Sequence, residues 1–385
     1  MSNLAPTLLK MTPGGKLFAG KVSTLYPPVM SSPPTISNSG PGGASPISGA
    51  VLIPYNTALV SLLGASSLML VSQYGSNYYG NGCNANWTRP NYAVEFDYCG
   101  SECALAYRSM NGSPGFWVWI NGLTATSGAV DITGQSAGSY YRLVINFGST
   151  AWRRIRIYTS YADFGGVEIG PTDTVIPVPR AYTKIAFYGD SYLEGTTQQT
   201  DQIQTIAMME GALTGAETFR CGQGGTGYTT AGANSSLGTA AFTDPTRLSC
   251  LAATNADVVH VLGSFNDGSA TTAAFTAAAK ATLATIMTTM ANAKLYVWGV
   301  QTIGNTVLSQ NVLNNTAVAS VCASLGLPFI DMINGGWITG TGTTAAPTGS
   351  GNADILVGAD GVHPSALGFE HLARRMATFD LLNAA

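Results

Sequence analysis

Charged side chains are scarce in this sequence of 385 residues. Asp, Glu, Lys and Arg make up 10% of it and the net charge is −3, whereas about 25% charged residues is usual in globular proteins. No basic run or stripe is present, so the surface that would neutralise several phosphates is missing and we expect no nucleic-acid partner. Gly, Ser, Thr, Ala and Asn take the place of charge, a composition that suits an extracellular or virion-associated protein whose surface meets sugars.

Long apolar runs are also missing. Although 45% of the residues are hydrophobic, no run reaches the roughly 18 residues that span a bilayer, so we expect no membrane span. The opening residues Met-Ser-Asn-Leu-Ala-Pro have neither the charged nor the apolar region of a secretory signal, and we expect none in this sequence. The chain is long enough for two domains that each bury a core.

Cysteine is sparse, and its distribution limits disulfide bonding. The six cysteines divide three and three about residue 180, so full pairing would need a bridge between the two halves. At least one free thiol in each half is the simpler interpretation. Cys99 and Cys103, with Cys83 nearby, could form one local disulfide. A zinc site is disfavoured because that half has no second pair of Cys or His ligands.

The N-terminal half changes composition near residue 50. Residues 1–50 are rich in Pro, Gly and Ser, which predicts an extended arm with little regular structure. Residues 51–180 contain short β-like runs separated by Gly, Asn and Ser, which predict an antiparallel β-sandwich of the jelly-roll kind that could bind carbohydrate. These runs are residues 67–71, 92–96, 116–120, 141–145 and 154–158.

Residues 181–385 alternate short apolar runs with alanine-rich helical stretches. This alternation predicts an α/β domain with a parallel sheet and helices on both faces. Active sites in such sheets lie beyond the carboxyl ends of the strands. The predicted strands are residues 185–188, 258–262, 295–300 and 329–331, and the clearest predicted helices are residues 272–291 and 307–325.

Two of these predicted strands end in side chains suited to acyl-transfer chemistry. The strand at 185–188 leads into Gly189-Asp190-Ser191, and Ser191 then stands at the start of the next helix, where unpaired amides can receive a developing oxyanion. The strand at 258–262 is followed by Asn266. An amide side chain at that edge can donate a further hydrogen bond to the same oxyanion.

The general base is predicted near the end of the chain. Pro364 can occupy the first turn of the closing helix, which leaves His363 at its entrance, aimed at the sheet edge. Asp360 can fix the imidazole tautomer while His363 takes the proton of Ser191. The other two of the three histidines are interpreted structurally, His260 as a core residue in mid-strand and His371 as a helix-face residue.

These segments and their order along the chain resemble the SGNH (GDSL) hydrolase superfamily. The blocks of that superfamily are a strand with Gly-Asp-Ser, a glycine turn, an Asn-Asp pair after a strand, and a late Asp-x-x-His-Pro, and all four are present here. The resemblance covers residues 184–385. It implies a flavodoxin-like serine hydrolase domain with a Ser191–His363–Asp360 triad. It also implies an oxyanion hole made of the Ser191 amide, a glycine amide and the Asn266 side chain.

The glycine amide is assigned by position in the glycine turn. Gly225 is the best match to the family, with Gly222 and Gly224 as alternates, and Arg220 replaces the Asn that usually opens the turn. The spacing from Gly222 to Gly227 also fits a dinucleotide fingerprint. A loop-like segment follows instead of the helix that this fingerprint needs, so we expect no nicotinamide or flavin, and the predicted chemistry needs no metal.

The arrangement resembles carbohydrate esterases in which a jelly-roll domain precedes the SGNH domain. It implies hydrolysis of a small acyl ester, with O-acetyl groups of a polysaccharide as the first choice of substrate. One alternative is a lipid or alkyl-ester esterase, although no Leu/Ile/Phe-rich insertion supplies a lid. Another is a glycan-binding virion tail component whose SGNH domain mainly binds.

Overall fold

The structure, a computed structural model, groups into two compact units. One unit is Tyr26–Arg180, and the other combines Met1–Leu25 with Ala181–Ala385. The described residues are 7–11, 17–21, 28–55, 57–64, 91–110, 114–178, 182–195, 204–232, 240–263, 265–300 and 309–383.

The Pro- and Gly-rich start of the chain contains regular strands, so the arm predicted for residues 1–50 is wrong on this point. Strands β1 (Thr7–Met11) and β2 (Leu17–Lys21) pair antiparallel within the Ala181–Ala385 unit. Strand β3 (Thr35–Ser39) joins the sheet of the other unit, where Ile36 packs against the core. Pro and Gly here mark turns between apolar runs and do not prevent the runs from pairing.

Among its described residues, the Tyr26–Arg180 unit contains one antiparallel sheet of ten strands. Its path runs β4-β11-β6-β10-β7-β8, and β3, β5, β9 and β12 pair with strands on that path. The jelly-roll arrangement stays a prediction. Besides β3, the strands are β4 (Val51–Pro54), β5 (Ser61–Leu63), β6 (Asn91–Ser109), β7 (Gly115–Ile120), β8 (Leu123–Thr124), β9 (Val130–Asp131), β10 (Tyr140–Ser160), β11 (Ala162–Ile169) and β12 (Thr174–Ile176).

The main difference from the prediction is that two of the predicted short strands belong to one long strand. Residues 92–96 and 116–120 lie in β6 and β7 as predicted, but 141–145 and 154–158 belong to the single 21-residue strand β10. The register of β10 against β6 shifts between Asn146 and Ala151. The Gly-Ser-Thr segment therefore lies at an irregularity in the strand register and does not end the strand. The predicted strand at 67–71 lies outside the described residues.

Cys99 and Cys103 are both free, so the suggested local disulfide between them is wrong. Both lie on β6, where four residues of extended chain separate their Cα atoms by about 13 Å. A disulfide needs Cα atoms less than about 7 Å apart. Cys83 lies outside the described residues.

Ion pairs between neighbouring strands use much of the scarce charge of this sheet. Arg154 on β10 lies opposite Asp97 on β6, with Nε and Oδ1 2.8 Å apart. Arg108 on β6 lies opposite Asp163 on β11, with Nη2 and Oδ2 2.6 Å apart. Burial raises the pKa of Asp163 to about 6, against the opposing effect of the Arg108 charge. Cross-strand pairs of this kind help to fix the register.

The Ala181–Ala385 unit contains the predicted parallel sheet. Its strand order is β14-β13-β15-β16-β17, so the chain order reverses at β13, as in flavodoxin-like folds. The buried run at 258–262 is a strand with the predicted bounds. The strands are β13 (Lys184–Gly189), β14 (Glu217–Gly222), β15 (Val258–Leu262), β16 (Lys294–Trp298) and β17 (Phe329–Ile330).

Seven α-helices alternate with these strands in the part of the chain that the structure describes. Both alanine-rich stretches are helical as predicted, and the first begins after Thr271, whose hydroxyl accepts from the Ala274 amide. None of the described helices is long and apolar enough to cross a membrane. The helices are α1 (Ser191–Glu194), α2 (Ile206–Thr214), α3 (Pro245–Ala252), α4 (Thr272–Thr289), α5 (Ser309–Leu325), α6 (Ala353–Leu356) and α7 (Ala366–Asn383).

A buried polar cluster joins the sheet to helices α2 and α7. His260, in mid-strand, is fully buried as predicted, and its Nδ1 accepts from the Trp298 indole at 2.7 Å. Because indole can only donate, the ring proton must lie on Nε2, which donates to Asp380 Oδ2 at 2.8 Å. Glu210 of α2 lies beside this pair. Burial, and then the Asp380 charge, raise the pKa of Glu210 well above its ordinary value.

This raised pKa predicts a pH-dependent stability. Glu210 holds its proton more tightly in the folded than in the unfolded chain, so the free energy of unfolding should fall as pH rises above the unfolded pKa of about 4.3. Glu210→Gln keeps the neutral shape and should remove up to about 1.4 kcal/mol per pH unit of that fall. Urea unfolding from pH 5 to 8 measures it, with Glu370→Gln as control. Equal slopes in wild type and Glu210→Gln would contradict it.

Candidate active site

Loops at the carboxyl edge of the parallel sheet carry the predicted site residues. The loop after β13 opens helix α1 at Ser191, the glycine turn follows β14, and a 3-10 turn at Phe265–Asp267 follows β15. Since β13 pairs with both β14 and β15, the three loops are neighbours. This is the switch point at which doubly wound sheets bind ligands.

Ser191, His363 and Asp360 form one continuous hydrogen-bonded chain. His363 Nε2 lies 2.9 Å from Ser191 Oγ, and His363 Nδ1 lies 2.7 Å from Asp360 Oδ2. The carboxylate selects the tautomer with the proton on Nδ1, so Nε2 presents its lone pair to the serine hydroxyl. Ser191 is partly exposed, and the His363 and Asp360 side chains are 24% and 34% exposed. The arrangement can activate a serine nucleophile that solvent can reach.

Asp360 also organises its own loop. Its Oδ1 accepts from the amides of Val362 at 3.0 Å and His363 at 2.9 Å. Partial burial would raise the pKa of Asp360, but hydrogen bonds from the His363 amide and ring, the Val362 amide and the nearby imidazole hold it below its ordinary value. Tyr192 in α1 donates its hydroxyl to the Val362 carbonyl. Helix α1, which begins at Ser191, and the loop that carries His363 are thus tied directly.

The closing helix starts later than predicted. We expected Pro364 in its first turn, but α7 begins at Ala366, and Pro364 lies in an isolated β-bridge. The Ser365 hydroxyl instead accepts a hydrogen bond from a first-turn amide at 3.1 Å, because serine is a better N-cap than proline. His363 therefore lies on a loop held by the bridge, and it still reaches Ser191.

The three candidate glycines of the turn differ in what their amides do. Gly222 lies on buried strand β14, and a Cβ there would stand 2.4 Å from the Glu194 nitrogen in α1. Gly224 donates its amide to Glu194 Oε2. Gly225 is exposed with φ of 72°, a conformation that favours glycine, and no described group accepts from its amide. Of the three amides, that of Gly225 is the one open to a ligand.

Asn266 connects the loop after β13 with the glycine turn. Its Nδ2 donates to the Thr226 carbonyl at 2.9 Å and faces Asp190 Oδ2 at 3.5 Å. The first contact ties Asn266 to Thr226, the residue that follows Gly225 in the glycine turn. Within the described part of the chain, neither Asn266 nor Gly225 forms a hydrogen bond with Ser191 itself.

Two aspartates hold the loops around the site through backbone amides. Asp267 accepts from three successive amides, residues 228–230, at 2.7–3.0 Å. Asp190 caps α1 by accepting from the Tyr192 amide at 3.0 Å. Burial raises the pKa of Asp190 to about 7, while the hydrogen bond from the Tyr192 amide and the Arg247 charge act to lower it.

Sequence reasoning missed Glu194 and Arg247. Glu194 accepts the Gly224 amide, and the Arg220 that replaces the usual Asn donates Nη1 to the Glu194 carbonyl. Arg247 on α3 is 3% exposed and donates to the Thr226 hydroxyl at 2.9 Å. No sequence signal marks either residue, because charged side chains are expected at the surface unless the fold pairs them.

The buried Glu210–His260–Asp380 cluster is the described group whose spacing could hold a metal ion, with its ligand atoms within 4.8 Å of one another. The proton on His260 Nε2, fixed by the Trp298 donor at Nδ1, occupies the lone pair that a metal would need. These residues therefore do not suit a metal. His371 lies on α7, as predicted, and contacts the Trp337 carbonyl at 3.0 Å.

Comparison with known families agrees with this geometry. Residues 187–371 match the GDSL-like Lipase/Acylhydrolase family. This part of the chain is a GDSL hydrolase domain. The match begins in β13, just before Ser191, and continues past His363 into α7. No curated protein sequence matches the chain at a significant level.

Solved structures extend the likeness from the GDSL domain to most of the chain. A family two carbohydrate esterase from Cellvibrio japonicus has a TM-score of 0.63 at 12% identity, over 87% of this chain and 99% of that chain. The acetyl xylan esterase Est2A from Butyrivibrio proteoclasticus has a TM-score of 0.59 at 13% identity, over 87% and 98%. The salicylyl-acyltransferase SsfX3 from a tetracycline biosynthetic pathway has 0.63 at 12%, over 87% and 100%. At these identities the likeness concerns the fold.

Gly222 provides a test of how closely α1 packs on β14 in the GDSL domain. A Cβ in Gly222→Ala would stand 2.4–2.8 Å from backbone atoms of Glu194, Leu193 and Asp190, so helix α1 must shift. Overpacking of this kind costs about 1–3 kcal/mol, which urea unfolding measures. Gly40→Ala, which meets no atom within 4 Å, is the control. A Gly222→Ala variant as stable as Gly40→Ala would contradict this packing.

Proposed function

We propose that the GDSL domain is a serine esterase that hydrolyses small acyl esters, with O-acetyl groups of a polysaccharide as its substrate class. Ser191 is the nucleophile, His363 the general base and Asp360 the residue that orients His363. The observation that carries the proposal is the continuous hydrogen-bonded chain from Ser191 Oγ through His363 to Asp360, with the serine partly exposed.

Acylation begins when His363 Nε2 takes the hydroxyl proton of Ser191 as Oγ bonds to the ester carbonyl carbon. The oxyanion that forms is met by the amides of Ser191 and Gly225 and by the second hydrogen of Asn266 Nδ2. Asn266 Nδ2 also faces Asp190 Oδ2 at 3.5 Å, a longer contact than a normal hydrogen bond. Removing one such donor typically costs about 10²–10³ in kcat.

Collapse of the tetrahedral intermediate breaks the bond to the alcohol oxygen. The proton held on His363 Nε2 passes to that oxygen, the sugar alcohol leaves, and the acyl group remains on Ser191 Oγ. Water then gives a proton to Nε2 as its oxygen attacks the acyl carbon. Breakdown of the second intermediate releases the carboxylic acid and returns the proton to Ser191.

The carbohydrate substrate class rests on composition and on likeness of fold. The chain has 10% charged residues and 46 glycines, which suits neutral, hydroxyl-rich ligands better than anionic ones. The fold is shared with carbohydrate esterases from two bacteria. The same composition supports a place outside the cell or on a virion, which we include in the proposal.

A purely glycan-binding role for the GDSL domain is less well supported. Binding alone requires no nucleophile, yet Ser191 Oγ lies 2.9 Å from a histidine nitrogen that is itself oriented by a carboxylate. Ser191 is also not closed off within its own unit, since it is partly exposed. We therefore favour catalysis, which an acetate-release assay across acetylated glycans tests directly.

Ser191→Ala should abolish ester hydrolysis, because the variant lacks the nucleophile. We expect kcat to fall by on the order of 10³-fold or more, with the fold and any glycan binding unchanged. The assay is p-nitrophenyl acetate hydrolysis, with Ser320→Ala, an exposed serine on α5, as the matched control. A serine-directed phosphonate should label Ser191 alone. More than about a tenth of wild-type activity in Ser191→Ala, or labelling of another serine, would rule out this mechanism.

Acyl-length preference separates the carbohydrate deacetylase from the lipid-esterase alternative. Each methylene that fits a pocket contributes roughly 0.8 kcal/mol of binding, whereas one that meets a wall lowers the rate. The glycine turn and the polar loops around Ser191 predict a small pocket, so kcat/KM should decrease from acetyl to butyryl p-nitrophenyl esters and be lowest for octanoyl. A steady rise from acetyl to octanoyl would replace the proposal by the lipid-esterase alternative.

A further inference from the structure

Arg247 is a buried arginine at the base of the candidate site. It lies in the first turn of α3, where Asp244 accepts its amide at 3.1 Å. Its side chain points inward, and the residue is only 3% exposed. Arginine is rarely buried in this way unless its charge and its five donors are used.

The guanidinium of Arg247 connects four backbone segments. Its Nη2 donates to the carbonyl of Gly189, the last residue of β13, and at 3.3 Å to that of Cys221, the residue before the end of β14. Its Nη1 donates to the Thr226 hydroxyl at 2.9 Å and the Ala240 carbonyl at 2.8 Å. A planar fork of donors can hold several acceptors in fixed positions, which a lysine ammonium cannot do as well.

Aromatic rings fix the plane of that fork. The guanidinium carbon lies 4.6 Å from the centre of the Tyr188 ring and 4.7 Å from that of Phe242. The two rings are themselves tied, since the Tyr188 hydroxyl donates to the Phe242 carbonyl at 2.7 Å. Cation–π contacts of a desolvated guanidinium are among the stronger of their kind.

The charge of Arg247 is not neutralised by a direct ion pair with any described residue. Burial lowers the pKa of Arg247, while the fields of nearby groups, Asp190 and Glu194 among them, raise it. Burying a charge without a contacting counter-ion costs free energy that an apolar side chain would avoid. Packing alone therefore does not explain why an arginine occupies this position.

The segments that Arg247 connects carry the two backbone amides of the proposed oxyanion hole, so they set the distance between those amides. Gly189 lies two residues before Ser191 in the same turn, and Thr226 follows Gly225 directly. The Thr226 hydroxyl also donates to the Gln223 carbonyl at 2.6 Å. One rigid group thus relates the amide of the nucleophile to the amide of the glycine turn.

We propose that Arg247 is a positioning residue of the oxyanion hole: its guanidinium holds the end of β13 and the glycine turn at the separation that the transition state requires. This inference rests on the proposed esterase function. Arg247 touches no reacting atom, so its effect falls on the transition state and not on substrate binding.

The first test is Arg247→Lys in the full chain, with the exposed Arg374→Lys on α7 as matched control. We expect kcat for p-nitrophenyl acetate to fall about 10- to 100-fold, with KM changed less than about twofold. Inhibition by phenylboronic acid, whose tetrahedral adduct occupies the oxyanion hole, should weaken by a similar factor. If kcat and boronate affinity of the folded variant equal those of wild type while only the melting temperature falls, the inference is wrong.

Thr226 supplies a second test should Arg247→Lys not fold. Thr226→Val keeps the shape of this buried side chain but removes the hydroxyl that links Arg247 to the glycine turn. We expect kcat to fall about tenfold at unchanged KM, and Thr226→Ser to recover most of the loss. Wild-type kcat and boronate affinity in Thr226→Val would overturn the inference.

These results are distinct from a failure of the proposed function. If the function is wrong, wild-type protein neither turns over esters nor reacts with a serine-directed phosphonate. If only the inference is wrong, wild type does both, and the Arg247 and Thr226 variants react with the same rates as wild type.

Discussion

Hydrogen bonds from backbone amides to aspartate carboxylates hold three loops around the candidate site. Asp190 accepts an amide at the start of helix α1, Asp267 accepts three amides of the loop beyond the glycine turn, and Asp360 accepts two amides of the loop that precedes α7. Loops at the edge of a parallel sheet have no ladder partners for these amides. An aspartate that gathers them gives each loop one conformation, and the reactive side chains take their directions from it.

The arginines complement these aspartates. In the antiparallel sheet, residues such as Arg154 pair across strands with carboxylates, so charge is used there where it helps to fix the register. In the hydrolase domain, Arg247 and Arg220 instead donate to backbone carbonyls. The charge-poor composition therefore does not mean that charge matters little, because the buried charged groups join segments that are distant in sequence.

Sequence patterns predicted features that depend on neighbouring residues. They did not predict features that depend on contacts between distant segments. The strand at 258–262 could be bounded to the residue because it is a buried apolar run with polar ends. Ser191, Asp360 and His363 were predicted from short motifs that follow the strand at 185–188 or precede the closing helix, and the structure joins their side chains by hydrogen bonds. The continuity of β10 could not be predicted from the sequence. A Gly-Ser-Thr segment can end a strand or interrupt its register, and here it interrupts the register. The inward direction of Arg247 depends on rings and carbonyls that only the folded chain assembles.

The hydrogen bond from His363 to Ser191 joins residues 172 positions apart, and that separation has a kinetic consequence. Contacts of high sequence separation form late, since the entropy of closing long loops must be met before they are made. On the proposed function, strands β13 to β16 and the helices between them must already be aligned when His363 reaches Ser191. A partly folded chain, even one with most of its secondary structure, would then leave Ser191 without its proposed base, so that reactivity towards an ester would report completion of the tertiary fold.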